Sequence, residues 1–115
     1  MVELTLDLRL DHIFGSLADP TRRDILRRVA QKELSIGDIA KPYKLTFAAI
    51  SKHLKVLEKA RLVVKRRKGK EQLVKMAPEA IKDASVYLKE YERLWNSRLD
   101  SLEQYLSTLP QSSHE

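Results

Sequence analysis

The 115-residue sequence predicts a mostly α-helical fold with a two-stranded β-hairpin, and three observations carry that reading. Capped helix starts stand at Asp19-Pro20, Ser35 and Thr46. Two short apolar runs, Leu62-Val63-Val64 and Leu73-Val74, flank Lys68-Gly69-Lys70 as strands flank a hairpin turn. After Pro78, Ile81, Leu88, Trp95, Leu102 and Leu109 recur every seven residues, the stripe of one long helix. The length suits a single domain, expected over residues 1–109, with a disordered tail over 110–115.

Taken in order, Val2, Leu4, Leu6, Leu8 and Leu10 alternate at period two, as a strand does. Leu10, Ile13, Phe14 and Leu17 then change to helical spacing, so the first helix is expected to start between Leu6 and Asp11. Asp19 caps a second helix with Pro20 at its first position, where a missing N–H costs nothing. That helix buries Ile25, Leu26 and Val29 and ends near Gln31. Ser35-Ile36-Gly37-Asp38 is patterned as a capping box, and Pro42 ends the short helix it opens. Thr46 caps a longer helix from Phe47 to about Ala60. A short helix, a tight turn over Tyr43 to Leu45 and a longer helix make a helix-turn-helix by spacing. The last helix runs from Pro78 to about Ser107, with Ala84, Tyr91, Leu99 and Leu106 beside the heptad stripe. An apolar stripe of this length suggests pairing with a second chain.

Composition narrows the chemistry. Between Lys52 and Lys70 lie nine Lys or Arg and one acid, Glu58, although the whole chain is only +6. The positive charge is therefore confined to the long helix of the helix-turn-helix and the hairpin behind it, the electrostatic footprint of a duplex-DNA binder. There is no cysteine, which removes disulfides, thiolate nucleophiles and thiolate metal sites. His12, His53 and His114 are the only histidines and lie far apart, so no metal or other cofactor is expected. Ser51 and His53 sit two apart on a helix and face different ways, and no glycine-rich phosphate loop exists, so catalysis is not expected. Met1 to Phe14 lacks the apolar core of a signal peptide and no apolar run is long enough to span a membrane. A cytoplasmic location is the default expectation.

On the charged helix, Ile50, Leu54 and Leu57 share the core face. Phe47, Ala48, Ser51, Lys52 and Lys55 share the opposite face, with His53 on its flank. Small residues there let the backbone approach base edges, Ser51 can donate or accept, and Lys52 and Lys55 can reach guanine or phosphate. Phe47 either touches a thymine methyl or folds back into the core. The N-terminus capped by Thr46 is itself suited to phosphate. In the hairpin, Arg66, Arg67, Lys68 and Lys70 can follow the backbone or enter a narrow minor groove.

Phe14-Gly15-Ser16-Leu17-Ala18-Asp19-Pro20-Thr21-Arg22-Arg23, then Ser51-Lys52-His53-Leu54-Lys55-Val56-Leu57 and Leu62-Val63-Val64, resemble the ArsR-type winged-helix transcriptional repressors. The resemblance covers about residues 10–106. It implies a recognition helix from Thr46 to Lys59, a wing from Lys65 to Glu71, and repression at a double-stranded DNA operator that an effector or protein co-partner relieves. It also implies a homodimer built by the first and last helices, which places Leu10, Ile13, Leu88, Tyr91, Trp95, Leu99, Leu102 and Leu106 at the interface. Metal-sensing members carry paired cysteines where Ser35 and Gly37 stand here, and the last helix has no histidine, so the chain resembles the metal-free branch. Arg61 stands where the family usually has glycine. A winged helix that binds a protein or RNA partner is the alternative, because fold does not fix function.

Overall fold

The computed structural model describes the backbone of residues 2–110 and side chains from residue 7 onward. Its elements are helices α1 (Val2–Ser16), α2 (Pro20–Gln31), α3 (Ile36–Ala40), α4 (Phe47–Lys59) and α5 (Pro78–Thr108), and strands β1 (Leu34–Ser35), β2 (Val63–Lys68) and β3 (Glu71–Met76). Of the described residues, those up to Ala84 form one compact unit and those from Ser85 onward another. Most of the segment expected to be a disordered tail lies outside the described residues.

The caps act locally. The Asp19 side chain accepts from Arg22 N, Ser35 from Asp38 N and Thr46 from Ala49 N, each satisfying a donor with no partner inside its helix. In the first unit Ile13, Ile25, Ile39, Ile50, Leu54, Leu57, Leu62, Val63 and Val74 are fully buried and form the core. Ala80 and Ala84, small enough to let α5 approach closely, add its first turns to that core.

Two features differ from the sequence reading. The first helix begins at Val2, where an alternating run had suggested extended chain. Alternation has meaning only against a partner strand, and neither edge of the sheet pairs with these residues. Extending a helix already started at Leu10 costs far less than nucleating a new element. The sheet also has three strands, in the order β1-β3-β2, rather than two. Leu34 and Ser35 pair antiparallel with Val74 and Leu73, a strand too short to show a period in sequence.

The hairpin itself runs Val63↔Met76 to Lys68↔Glu71 and closes through Gly69 and Lys70. Gly69 has φ 63°, and among the described non-glycine residues only Arg61 is positive. Glycine first and an ordinary residue second is the type II′ arrangement, whose twist matches that of the strands.

Helix α4 ends in a Schellman arrangement. Arg61 N donates to Glu58 O at 2.9 Å and Leu62 N to Leu57 O at 3.0 Å, while Leu57 and Leu62 are both fully buried. The residue between them must be left-handed, and here it is Arg61 at φ 59° rather than glycine. A side chain in that conformation costs about 1 kcal/mol.

Arg61→Gly raises unfolding free energy by about 1 kcal/mol, read as a higher urea midpoint; an equal or lower midpoint contradicts the strain. Asp24 is held below the usual aspartate value chiefly by the Tyr43 hydroxyl, and Asp38 by its bond to Lys41. Folded pKa values below unfolded ones give stability that is complete above the ordinary carboxylate range and is lost as pH falls through the folded values. The urea midpoint therefore drops on acidification below about pH 4, and Asp24→Asn weakens that dependence. A midpoint constant down to pH 3 in the parent protein contradicts it.

Candidate nucleic-acid interface

The buried stripe Ile50, Leu54 and Leu57 fixes which face of α4 turns outward. Phe47 is 64% exposed, so it lies on that outer face and not in the core. Ala48, Lys52 and Lys55 are exposed beside it, Thr46 is exposed at the cap, and Ser51 is half-buried. An open cleft lined by Ser35, Ile36, Gly37, Phe47, Arg67, Lys70, Gln72 and one acid, Glu71, joins the start of α4 to the tip of the hairpin. The structure thus brings the helix N-terminus and the hairpin cations to one concave surface.

Not every cation of that region is available. Arg66 makes a bidentate pair with Glu33, Nε to Oε2 at 2.8 Å and Nη2 to Oε1 at 2.7 Å. This planar fork-on-fork geometry spans the sheet from β2 past β3 to the residue preceding β1. The Arg66 hydrogen bonds hold the Glu33 carboxyl below its usual value and raise Arg66 in turn. Arg66, expected from sequence to follow the DNA backbone or enter a minor groove, is paired with Glu33 here while its side chain stays half exposed. Lys65 lies 3.5 Å from Glu58, with its side chain mostly covered. Arg67, Lys68 and Lys70 are exposed and make no hydrogen bond or ion pair within the described residues, and Lys52 and Lys55 make none either.

His53 also departs from its expected place on the flank of the contact face. Its ring is largely covered, with Nδ1 at 3.3 Å from Arg22 Nη1 and 4.0 Å from Asp19 Oδ2. Arg22, which the sequence reading did not single out, also donates from Nε to Ser16 O at 2.7 Å and from Nη2 to Gly15 O at 3.3 Å. Arg23 Nη1 donates to Leu17 O at 2.9 Å, so two adjacent arginines satisfy carbonyls where α1 ends. Arg28 does the same for α3, donating to Ile39 O at 2.8 Å and Asp38 O at 2.9 Å while its guanidinium lies over the Tyr43 ring. No local pattern marks these residues, because their partners are distant in sequence.

The residues expected at a dimer interface divide. Leu10 and Ile13 are 4% and 2% exposed, filling the core of their own chain, so they offer a second copy no surface. Helical spacing marks them as apolar-facing but does not say which apolar surface they meet. In the second unit Leu88, Tyr91, Trp95, Leu99, Leu102 and Leu106 are all exposed, Trp95 by 63%. Tyr91 and Tyr87 meet edge-on with their hydroxyls 2.9 Å apart. Among the described residues no three His, Cys, Asp or Glu side chains gather as metal ligands would, and no helix is long and apolar enough to cross a membrane.

Residues 19–65 match the family model described as bacterial regulatory protein, arsR family. The chain is 32% identical to the HTH-type transcriptional regulator Rv2034 of Mycobacterium tuberculosis over 98 residues, 85% of this chain and 89% of that protein. It is 35% identical over 60 residues to the transcriptional repressor SdpR of Bacillus subtilis, 52% of this chain and 67% of the relative. Among solved structures, an ArsR family transcriptional regulator matches with TM-score 0.74 and 28% identity, covering 79% of this chain and 94% of that one. The homodimeric winged helix-turn-helix DNA-binding domain of a possible ArsR-family regulator from Mycobacterium bovis matches with TM-score 0.64 and 29% identity, over 80% and 87%. A helix-turn-helix followed by a small antiparallel wing, with relatives of this kind along most of its length, identifies the chain as a member of the ArsR family of DNA-binding transcriptional regulators, not an enzyme.

Proposed function

We propose that the chain is a homodimeric, sequence-specific repressor, acting in the cytoplasm, in which residues 1–109 serve as one DNA-binding and dimerising module. The observation that carries this reading is the cleft shared by Phe47 of α4 with Arg67 and Lys70 of the wing, edged by cations without partners. Helix α4 enters the major groove with Phe47, Ala48, Ser51, Lys52 and Lys55 toward the bases and the adjoining phosphates. The capped N-terminus at Thr46 receives a backbone phosphate. Arg67, Lys68 and Lys70 take the flanking phosphates or the minor groove, while Arg66 keeps the wing in place.

The exposed stripe on α5 supports pairing with a second copy. Six large apolar side chains on one helix in water are costly unless covered, and a solved relative is homodimeric. Repression is supported by SdpR, which is named a repressor. Relief of repression proceeds without a metal: the chain lacks cysteine, and Ser35 and Gly37 occupy the positions of the family's paired thiolates.

Two variants test the reading. Arg67→Ala weakens binding to every duplex and flattens the slope of log affinity against log salt by about one unit; an unchanged slope removes the wing from the phosphates. Trp95→Asp gives monomers in sedimentation and lowers affinity for a two-half-site duplex by about 100-fold or more, since the second half-site contact is no longer intramolecular. A dimer that survives intact contradicts the α5 interface.

A further inference from the structure

Burying Ile50, Leu54 and Leu57 sets which face of α4 turns inward, and a directional polar contact outside that stripe sharpens the angle that packing sets. Rotation matters for a helix that reads bases. Turning it by about 20° carries the outer ends of its side chains about 2 Å, enough to break a hydrogen bond. Among the described residues, Glu58 pairs α4 with Lys65 of β2 near its C-terminal end, and His53 meets Arg22 of α2 at hydrogen-bond distance on the other flank.

We propose that Arg22 and His53 form the joint that fixes the rotation of the recognition helix, with His53 a positioning residue acting through an unprotonated Nδ1. The proposal rests on α4 being the DNA-reading helix. Arg22 spends its three kinds of guanidinium nitrogen on three targets: Nε on Ser16 O, Nη2 on Gly15 O and Nη1 on His53 Nδ1. The first two lie at the end of α1, and the third lies on α4. The base of the side chain is fixed as well, because Arg22 N donates to the Asp19 cap at 3.0 Å. Ser16 is buried and its hydroxyl donates to Ile13 O at 2.8 Å, so the carbonyls that hold Arg22 belong to a closed helix end.

The chemistry dictates the tautomer. A guanidinium can only donate, so the ring nitrogen facing it must carry the lone pair, and the imidazole proton sits on Nε2. Asp19 Oδ2 stands 4.0 Å from the same nitrogen, beyond hydrogen-bond reach. Two of the three segments that carry the family resemblance, the one ending Asp19-Pro20-Thr21-Arg22-Arg23 and the one opening Ser51-Lys52-His53-Leu54, thus meet in space. In this joint the first holds the second at a set angle.

Asparagine supplies the matching test, because its Oδ1 falls where Nδ1 of histidine lies and its helix propensity is similar. His53→Asn keeps an acceptor for Arg22, and His53→Leu removes it while leaving every free cation in place. Binding is measured on a random-sequence pool of about 30-base-pair duplexes and on the best duplex recovered from that pool with the parent protein. Both variants bind the pool as the parent does. His53→Leu loses about tenfold or more in preference for the selected duplex, whereas His53→Asn retains it. Equal preference in His53→Leu overturns the proposal.

The joint is also read without DNA, by long-range proton–nitrogen NMR of the imidazole in the parent protein. An Nε2-protonated ring is expected, together with amide shift changes at Gly15 to Leu17 in His53→Leu that His53→Asn does not show. An Nδ1-protonated ring, or unchanged shifts at the α1 end, overturns the joint even if the protein binds no duplex. Failure of the DNA reading is seen separately, as a parent protein that selects nothing from the pool.

Discussion

A guanidinium that reaches three acceptors at once fixes the parts it touches relative to one another, and Arg22 does this for the end of α1 and the flank of α4. The other polar side chains of α2 extend the same principle. Arg23 satisfies a carbonyl just beyond α1, Arg28 satisfies the last carbonyls of α3, and Asp24 receives the Tyr43 hydroxyl from the turn before α4. Helix ends leave carbonyls without partners, and here the cations of one central helix supply them. The consequence is a helix-turn-helix held from behind by α2, so that the outward face of α4 is free of structural duties.

The same division runs through the basic segment. Lys65 and Arg66 are engaged by Glu58 and Glu33, and they hold the wing against the body. Arg67, Lys68 and Lys70 lie further along the hairpin, where among the described residues no acid pairs with them. A cation already paired in a bidentate bond has little left to gain from phosphate, whereas an unpaired one releases counterions on binding. Local charge therefore overstates the number of cations left unpaired, and the pairing pattern separates Lys65 and Arg66 from Arg67, Lys68 and Lys70.

How much of this was legible in the sequence depended on the range of each interaction. Asp19, Ser35 and Thr46 each cap a helix three residues away, so their signals are contained in a few letters and all three helix starts were readable. The hairpin was readable because Gly69 supplies its own turn chemistry. Strand β1 was not, because its two residues gain their state only from Leu73 and Val74 far along the chain. Leu10 and Ile13 were readable as apolar-facing, but only the folded body decides that they pack inward. For the site, the outward face of α4 followed from helical geometry alone, whereas the His53–Arg22 contact spans 31 positions and the Arg66–Glu33 clamp 33. Contacts at that separation leave no periodic trace, and they decided which predicted contact residues were free.

Selection of duplexes from a random pool by the purified protein, at near-physiological salt, tests the central claim most directly. A dimer that places two copies of α4 in successive major grooves enriches an inverted repeat whose half-sites lie about one helical turn apart. Recovery of no common sequence, with binding that disappears as salt rises, contradicts that account and leaves a basic surface that holds any duplex by counterion release alone.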